Sequence, residues 1–174
     1  MLYTTRITHA QHPCHAEWML LYEEAFPASE RRSEARHLEA LADSAFHCLH
    51  LADAFGFVGL MAYWLWDGLV YLEHFAIVPA RRGQGLGHEA LKMLKDYVIV
   101  EIEPAEDSEK VRRLAFYESC GFLCLPQPHV QLAYQTGQPD VPLWLLSRPA
   151  MNDEQVTRFE QLYAAGPMRY RDRA

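Results

Sequence analysis

Positive charge is scarce in this sequence: 16 Lys and Arg stand against 23 Asp and Glu, for a formal net charge of −7 at pH 7. A field of that sign repels phosphate backbones and draws cations, which argues against nucleic acid as a partner and for an amine. Arg81/Arg82, Arg112/Arg113 and the run from Arg169 to Arg173 are local exceptions, but clusters this short are ordinary solvated surface. Cysteine is sparse as well. Cys14, Cys48, Cys120 and Cys124 make no dense disulfide framework and no leader pattern opens the chain, so a cytoplasmic location is expected. Long apolar runs are missing too. The longest, Phe55 to Trp66, stops at Asp67, short of the roughly 20 residues of a membrane helix, so no membrane partner is expected. Neither a repeat nor a long linker interrupts the chain.

What is present is core-forming. Half of the 174 residues are hydrophobic and 12% are aromatic, a composition that folds as one domain over residues 1–174. Leu2 to Ile7 reads as a strand, His15 to Phe26 as a helix, and the stretch after Ser29 as a second helix with Ala35, Leu38, Leu41 and Ala42 on one face. Phe46 to Leu51, Phe57 to Trp66 and Leu69 to Val78 are predicted to form an antiparallel meander, with Asp67-Gly68 as a hairpin turn. After Pro79 the period shifts to 3.6, placing Leu86, Ala90, Leu91, Leu94 and Tyr97 on one helical stripe. A strand at Val98 to Ile102, a helix at Ser108 to Cys120 ended by Gly121, and strands at Phe122 to Leu125 and Leu143 to Ser147 complete a mixed α/β sheet. An appended helix, Asp153 to Ala165, carries Val156, Phe159, Leu162 and Tyr163 together.

The segment Phe75-Ala76-Ile77-Val78-Pro79-Ala80-Arg81-Arg82-Gly83-Gln84-Gly85-Leu86-Gly87 sends a strand through a glycine turn into a helix. Glycines let consecutive N–H groups converge, which makes an anion site suited to a pyrophosphate. No Gly-Lys-Ser/Thr follows, so this is not a nucleotide P-loop. Gly85-x-Gly87-x-x-Ala90 meets a permissive dinucleotide pattern, but an antiparallel hairpin feeds the turn where a dinucleotide fold has parallel strands. Taken alone, the turn is equally well explained as close packing between strand and helix. Histidine and cysteine fall near each other at His12-x-Cys14-His15 and His47-Cys48-x-His50, yet neither group has a spaced partner pair, so no metal is expected.

Arg82-x-x-Gly85-x-Gly87, followed by Phe116-Tyr117-Glu118-Ser119-Cys120-Gly121-Phe122 at the junction of a helix and a strand, resembles the GNAT superfamily of acyl-CoA-dependent N-acetyltransferases. The resemblance implies a splayed mixed sheet of about six or seven strands, with acetyl-CoA as acyl donor in the opening between the strands ending near Ile77 and Ile102. It implies pantetheine pairing along the backbone of Phe75, Ala76 and Ile77. It further implies a pyrophosphate held by the Arg82, Gly83, Gln84, Gly85, Leu86, Gly87 and His88 segment. Tyr117 matches the tyrosine that protonates the departing thiolate.

Such chemistry must deprotonate its acceptor. A primary amine with pKa near 10.4 is neutral only about one time in 2,500 at pH 7, a deficit of roughly 4.6 kcal/mol. Alternation along Tyr71, Glu73, Phe75 and Ile77 puts Glu73 on the expected thioester side of its strand and turns His74 away; Glu101 and Glu103 on the neighbouring strand are the alternatives. The resulting expectation is acetyl transfer from acetyl-CoA to a primary amine of a small molecule or peptide. A coenzyme A-binding sensor without catalysis, a larger acyl donor, and a homodimer are the competing or additional readings.

Overall fold

The computed structural model describes residues 1–172; Arg173, the end of the C-terminal basic run, lies outside them. The chain begins with β1 (Tyr3–Ile7), α1 (His15–Ala25) and α2 (Glu34–Leu41), followed by β2 (Phe46–Asp53), β3 (Gly56–Trp66) and β4 (Leu69–Ile77) in an antiparallel meander. Next come α3 (Leu86–Leu91), β5 (Tyr97–Ile102), α4 (Ser108–Ser119), β6 (Leu123–Cys124), β7 (His129–Gln131), β8 (Val141–Arg148) and α5 (Asp153–Ala165). The sheet order is β1-β2-β3-β4-β5-β8-β6, with β7 on β8. Among the described residues only β4 and β5 pair in parallel, as a strand, helix, strand crossover requires. No helix among the described residues is long and apolar enough to cross a membrane.

Three elements differ from the sequence reading. Ser33 rather than Ser29 precedes α2, because Ser29 sits in a short 3-10 turn (Ala28–Glu30) and Arg31 is extended. That extended stretch delivers Arg32 into the interior, and the buried face of α2 becomes His37, Ala40 and Leu41, with Ala35 in solvent. Helix α3 ends at Leu91; Asp96, at φ 66°, turns the chain so that Tyr97 starts β5 opposite Leu69. Strand β7 brings the strand count to eight. Its three residues are too few for alternation to reveal.

Two hydrophobic layers lie on opposite faces of the sheet. One packs Trp18, Leu21 and Tyr22 of α1, Ala40 and Leu41 of α2, and Val156, Phe159 and Tyr163 of α5 against Leu60, Ala62, Trp64, Leu69 and Tyr71. The other packs Ala90, Leu91 and Tyr117 from the α3 and α4 side against Met61, Val70, Leu72, Val98 and Val100. Alternating residues of β3 and β4 therefore serve different layers, as the two-residue strand period demands. The apolar stripe of α5 is consumed by the first layer, and its start is secured by a capping box between Asn152 and Gln155.

The alternation breaks once in β4. Ala62 pairs with His74 and Tyr63 with Leu72, leaving Glu73 as the extra residue of a β-bulge. Beyond it the faces are exchanged: Phe75 and Ile77 pack with the α3/α4 layer, whereas Tyr71 belongs to the α1/α2/α5 layer. The expected common face for Tyr71, Glu73, Phe75 and Ile77 does not exist. His74 is not turned away from Glu73 either, since its Nδ1 lies 4.0 Å from Glu73 Oε2 and its ring meets Tyr22 and Phe26 edge-on.

Candidate active site

Strands β4 and β5 are bonded only from Leu69 to Leu72 and from Tyr97 to Val100. Past that point they diverge, and the gap forms a cleft of about 1280 Å³. On its β3 side β4 stays paired as far as Ile77, so the backbone edge facing the gap at Phe75, Ala76 and Ile77 has no strand beside it. An open edge of this kind can pair with an extended amide-bearing chain. Gly59 makes the β3–β4 contact possible there, because a Cβ on it would fall 2.2 Å from the Ala76 carbonyl oxygen.

The glycine turn lies at the same opening. Gly83 and Gly85 adopt φ +74° and +77°, a left-handed geometry that side-chain-bearing residues rarely take. Gly87 serves packing: a Cβ there would meet Phe116 Cζ at 3.1 Å. Arg82 Nε donates to the Ile77 carbonyl at 3.0 Å, tying the turn to the strand end, and Arg81 is held by Asp53 through a bond of 3.2 Å from Nη1 to Oδ1. His88 Nε2 lies 2.9 Å from Ser119 Oγ, which links the turn to α4.

Of the expected coenzyme-binding residues, Phe75, Ala76, Ile77, Arg82, Gly83, Gly85, Leu86, Gly87 and His88 all line the cleft. Gln84 is not among the lining residues; its side chain bonds back to Ala80 O at 3.3 Å. Tyr117 lines the cleft from the α4 side and is 6% exposed; burial pushes its phenol well above the ordinary value.

Glu73 presents no free carboxylate to this space. Its side chain is 1% exposed, as is that of Arg32, whose Nη1 and Nη2 reach it at 2.9 and 2.6 Å. Trp64 Nε1 donates at 2.9 Å and the Tyr134 hydroxyl donates to the other oxygen. Burial alone would raise this carboxyl, but the Arg32 guanidinium, His74 and the bonds from Arg32 and Tyr134 outweigh it and hold it at about 2. A group so well satisfied is a weak proton acceptor. His74 is taken down to about 4 by burial, against the pull of Glu73; it is neutral and donates Nε2–H to the Glu30 carbonyl at 2.9 Å.

The two alternative carboxylates are partnered as well. Glu101 accepts from the Tyr71 hydroxyl at 2.6 Å and from His129 Nε2. Glu103 is bridged by Lys110 at 3.1 Å and Arg113 at 3.1 Å. Sequence reasoning missed Arg32, Tyr134, His129 and Glu30. Arg32 is one of two adjacent arginines, and nothing local distinguishes the buried one from its neighbour Arg31. No group of three or more His, Cys, Asp or Glu side chains that could hold a metal ion occurs among the described residues.

Residues 14–122, more than half of the sequence, match the profile of the family described as Acetyltransferase (GNAT). The chain belongs to this family. YjbC of Bacillus subtilis (strain 168), assigned as an acetyltransferase, is 28% identical over 106 residues, which span 58% of this chain and 54% of that protein. The chain thus matches about half the length of this curated relative. Among solved structures, a GNAT protein of Bacteroides thetaiotaomicron, also assigned as an acetyltransferase, superposes with a TM-score of 0.84 at 26% identity, covering 93% of this chain and 96% of its own. A GNAT acetyltransferase of Elizabethkingia anophelis with acetyl-CoA bound shares the fold at a TM-score of 0.55 and 15% identity, over 84% and 96% of the two chains. The mixed sheet that opens between β4 and β5 is therefore the GNAT sheet.

Proposed function

We propose that this chain transfers an acetyl group from acetyl-CoA to a primary amine by direct attack within a ternary complex. The observation that carries this reading is the divergence of β4 from β5 after Leu72, which leaves the Phe75 to Ile77 edge and the left-handed glycine turn at one opening. An edge strand with converging amides beyond it suits a ligand that is peptide-like along its arm and doubly anionic at its end, as coenzyme A is. The acetyl-CoA held by the Elizabethkingia protein supports the same donor here.

The reaction forms a C–N bond at the thioester carbonyl and breaks the C–S bond, so a proton must reach the departing sulfur. Tyr117 is assigned this role. Its burial keeps the phenol protonated until the thiolate develops, and the same dry surroundings raise the basicity of a thiolate expelled beside it. Glu73 acts as a positioning residue: it anchors Arg32 beneath the cleft and so shapes the turn ahead of α2. The acidic balance of the chain, −7 at pH 7, suits a cationic small molecule or a peptide amine as acceptor.

Titration calorimetry with coenzyme A, followed by a thiol-release assay with acetyl-CoA and a panel of amines, tests the reading. Binding with turnover is the expected result. Binding without turnover would favour a coenzyme A sensor, and absence of binding would remove the donor assignment altogether.

A further inference from the structure

Of the five carboxylates around the cleft, four are engaged. Glu73 is held by Arg32, Trp64 and Tyr134; Glu101 by Tyr71 and His129; Glu103 by Lys110 and Arg113; and Glu109 lies 3.6 Å from Arg113 Nη2. The fifth is Glu30, in the turn between α1 and α2. Its carboxyl has no hydrogen-bond or ion-pair partner among the described residues. The turn that carries it is nevertheless fixed. His74 donates to the Glu30 carbonyl at 2.9 Å, Gln131 Nε2 to the Ser29 carbonyl at 3.3 Å, and Gln135 Nε2 to the Arg31 carbonyl at 3.0 Å. The cleft therefore holds a free carboxylate on a pinned backbone, the kind of support a positioned reacting group needs.

We infer that Glu30 is the catalytic base, taking the proton of the incoming ammonium from the α1/α2 side of the cleft while Tyr117 serves the sulfur from the α3/α4 side. This rests on the transferase reading above. Glu30 accepts one proton from the ammonium, and the freed lone pair attacks the thioester carbonyl carbon. The tetrahedral adduct collapses with loss of the thiolate, which takes the Tyr117 proton. The second nitrogen proton restores the phenol, and Glu30 releases its proton to water, so one proton leaves per turnover. The bulge matters to this division of labour, since it turns His74 to the α1/α2 side, where it holds the Glu30 carbonyl.

Electrostatics favour the role. Burial raises the Glu30 carboxyl above its ordinary value, Glu103 just past β5 and Glu101 within it add to the rise, and Arg113 and Lys110 of α4 oppose it. His74 of β4 is neutral and adds no charge. A carboxylate of raised basicity is the better proton acceptor near neutral pH.

The test compares wild type with Glu30→Gln and Glu30→Asp. Two acceptors are needed: whichever panel member is turned over (1,4-diaminobutane, an aminoglycoside or a short peptide with a free N-terminus), and hydroxylamine, which is already neutral at pH 7. Glu30→Gln should lower kcat/KM for the protonated amine by about 100-fold, flatten the ascending limb of its pH profile, leave the coenzyme A Kd unchanged and not lower the thermal midpoint. With hydroxylamine the loss should be less than about tenfold, and Glu30→Asp should recover part of the rate. An unaltered rate and profile would overturn the assignment, and an equal loss with both acceptors would show that Glu30 acts through binding alone. Wild-type protein that binds coenzyme A but acetylates neither the panel nor hydroxylamine would overturn the transferase reading itself.

Discussion

The two faces of the sheet solve different problems with different residues. On the α1/α2/α5 face, below the cleft, charge is buried and paired: Arg32 with Glu73 and Glu101 with His129 and Tyr71, among Trp64, Tyr134 and Tyr22. On the α3/α4 face the buried residues are almost wholly apolar, and polarity is supplied by the backbone of the glycine turn. The first face pairs its carboxylates internally, with Arg32 Nε, His37 Nε2, Ser147 Oγ and the Tyr163 hydroxyl left without partners among the described residues; the second is the receptive face of the proposed function, where the amides of the glycine turn would meet the ligand. The bulge at Glu73 is the seam, sending His74 to the first face and Phe75 to the second.

Breaking the charged face should have the largest effect. Arg32→Met leaves the Glu73 carboxylate buried with its ion-pair partner gone, and a loss of about 3–5 kcal/mol in urea unfolding is expected. Combining it with Glu73→Leu should cost less than the sum of the single changes; strict additivity would mean that the pair is not coupled.

On the receptive face, Tyr117→Phe should slow turnover about 100-fold, near 2.7 kcal/mol of barrier, with little change in coenzyme A affinity. An undiminished rate would take the acid role from Tyr117. Gly87→Ala is milder. The added methyl would meet Phe116 at 3.1 Å, and a cost of about 1 kcal/mol, read as a lowered thermal midpoint, is expected.

Acidification breaks the charged face as well. Burial holds His74 at about 4 and His37 at about 3, below the ordinary 6.5. The unfolded chain therefore binds more protons, so the stability these groups contribute is full above pH 6.5 and declines as pH falls below it. Glu73, held at about 2 against an ordinary 4.5, adds a second loss between those values. A melting midpoint that stays level from pH 7 down to about 4 would contradict the buried-neutral state of both histidines.

The comparison also explains what the sequence could convey. The meander was legible because Asp67-Gly68 and the alternation of β3 are local signals, and α5 was legible because its stripe and cap lie within one segment. The glycine turn announced the receptive face for the same reason: the backbone geometry of Gly83 and Gly85 is encoded where it is used. The charged face is built from residues far apart in sequence. Arg32 meets Glu73 across 41 positions, and Tyr134 meets it across 61. No window contains these partners, so Glu73 read as an open carboxylate when it is a closed one. A single bulged residue then reversed the parity argument for everything after it in β4.

Amide hydrogen exchange with and without coenzyme A tests the central claim most directly. Added ligand should slow exchange at Ala76 and Ile77 and across Gly83 to His88, while the amides of α5 remain as they were. Protection confined to other parts of the chain, or no protection at all, would contradict a coenzyme site between the splayed strands.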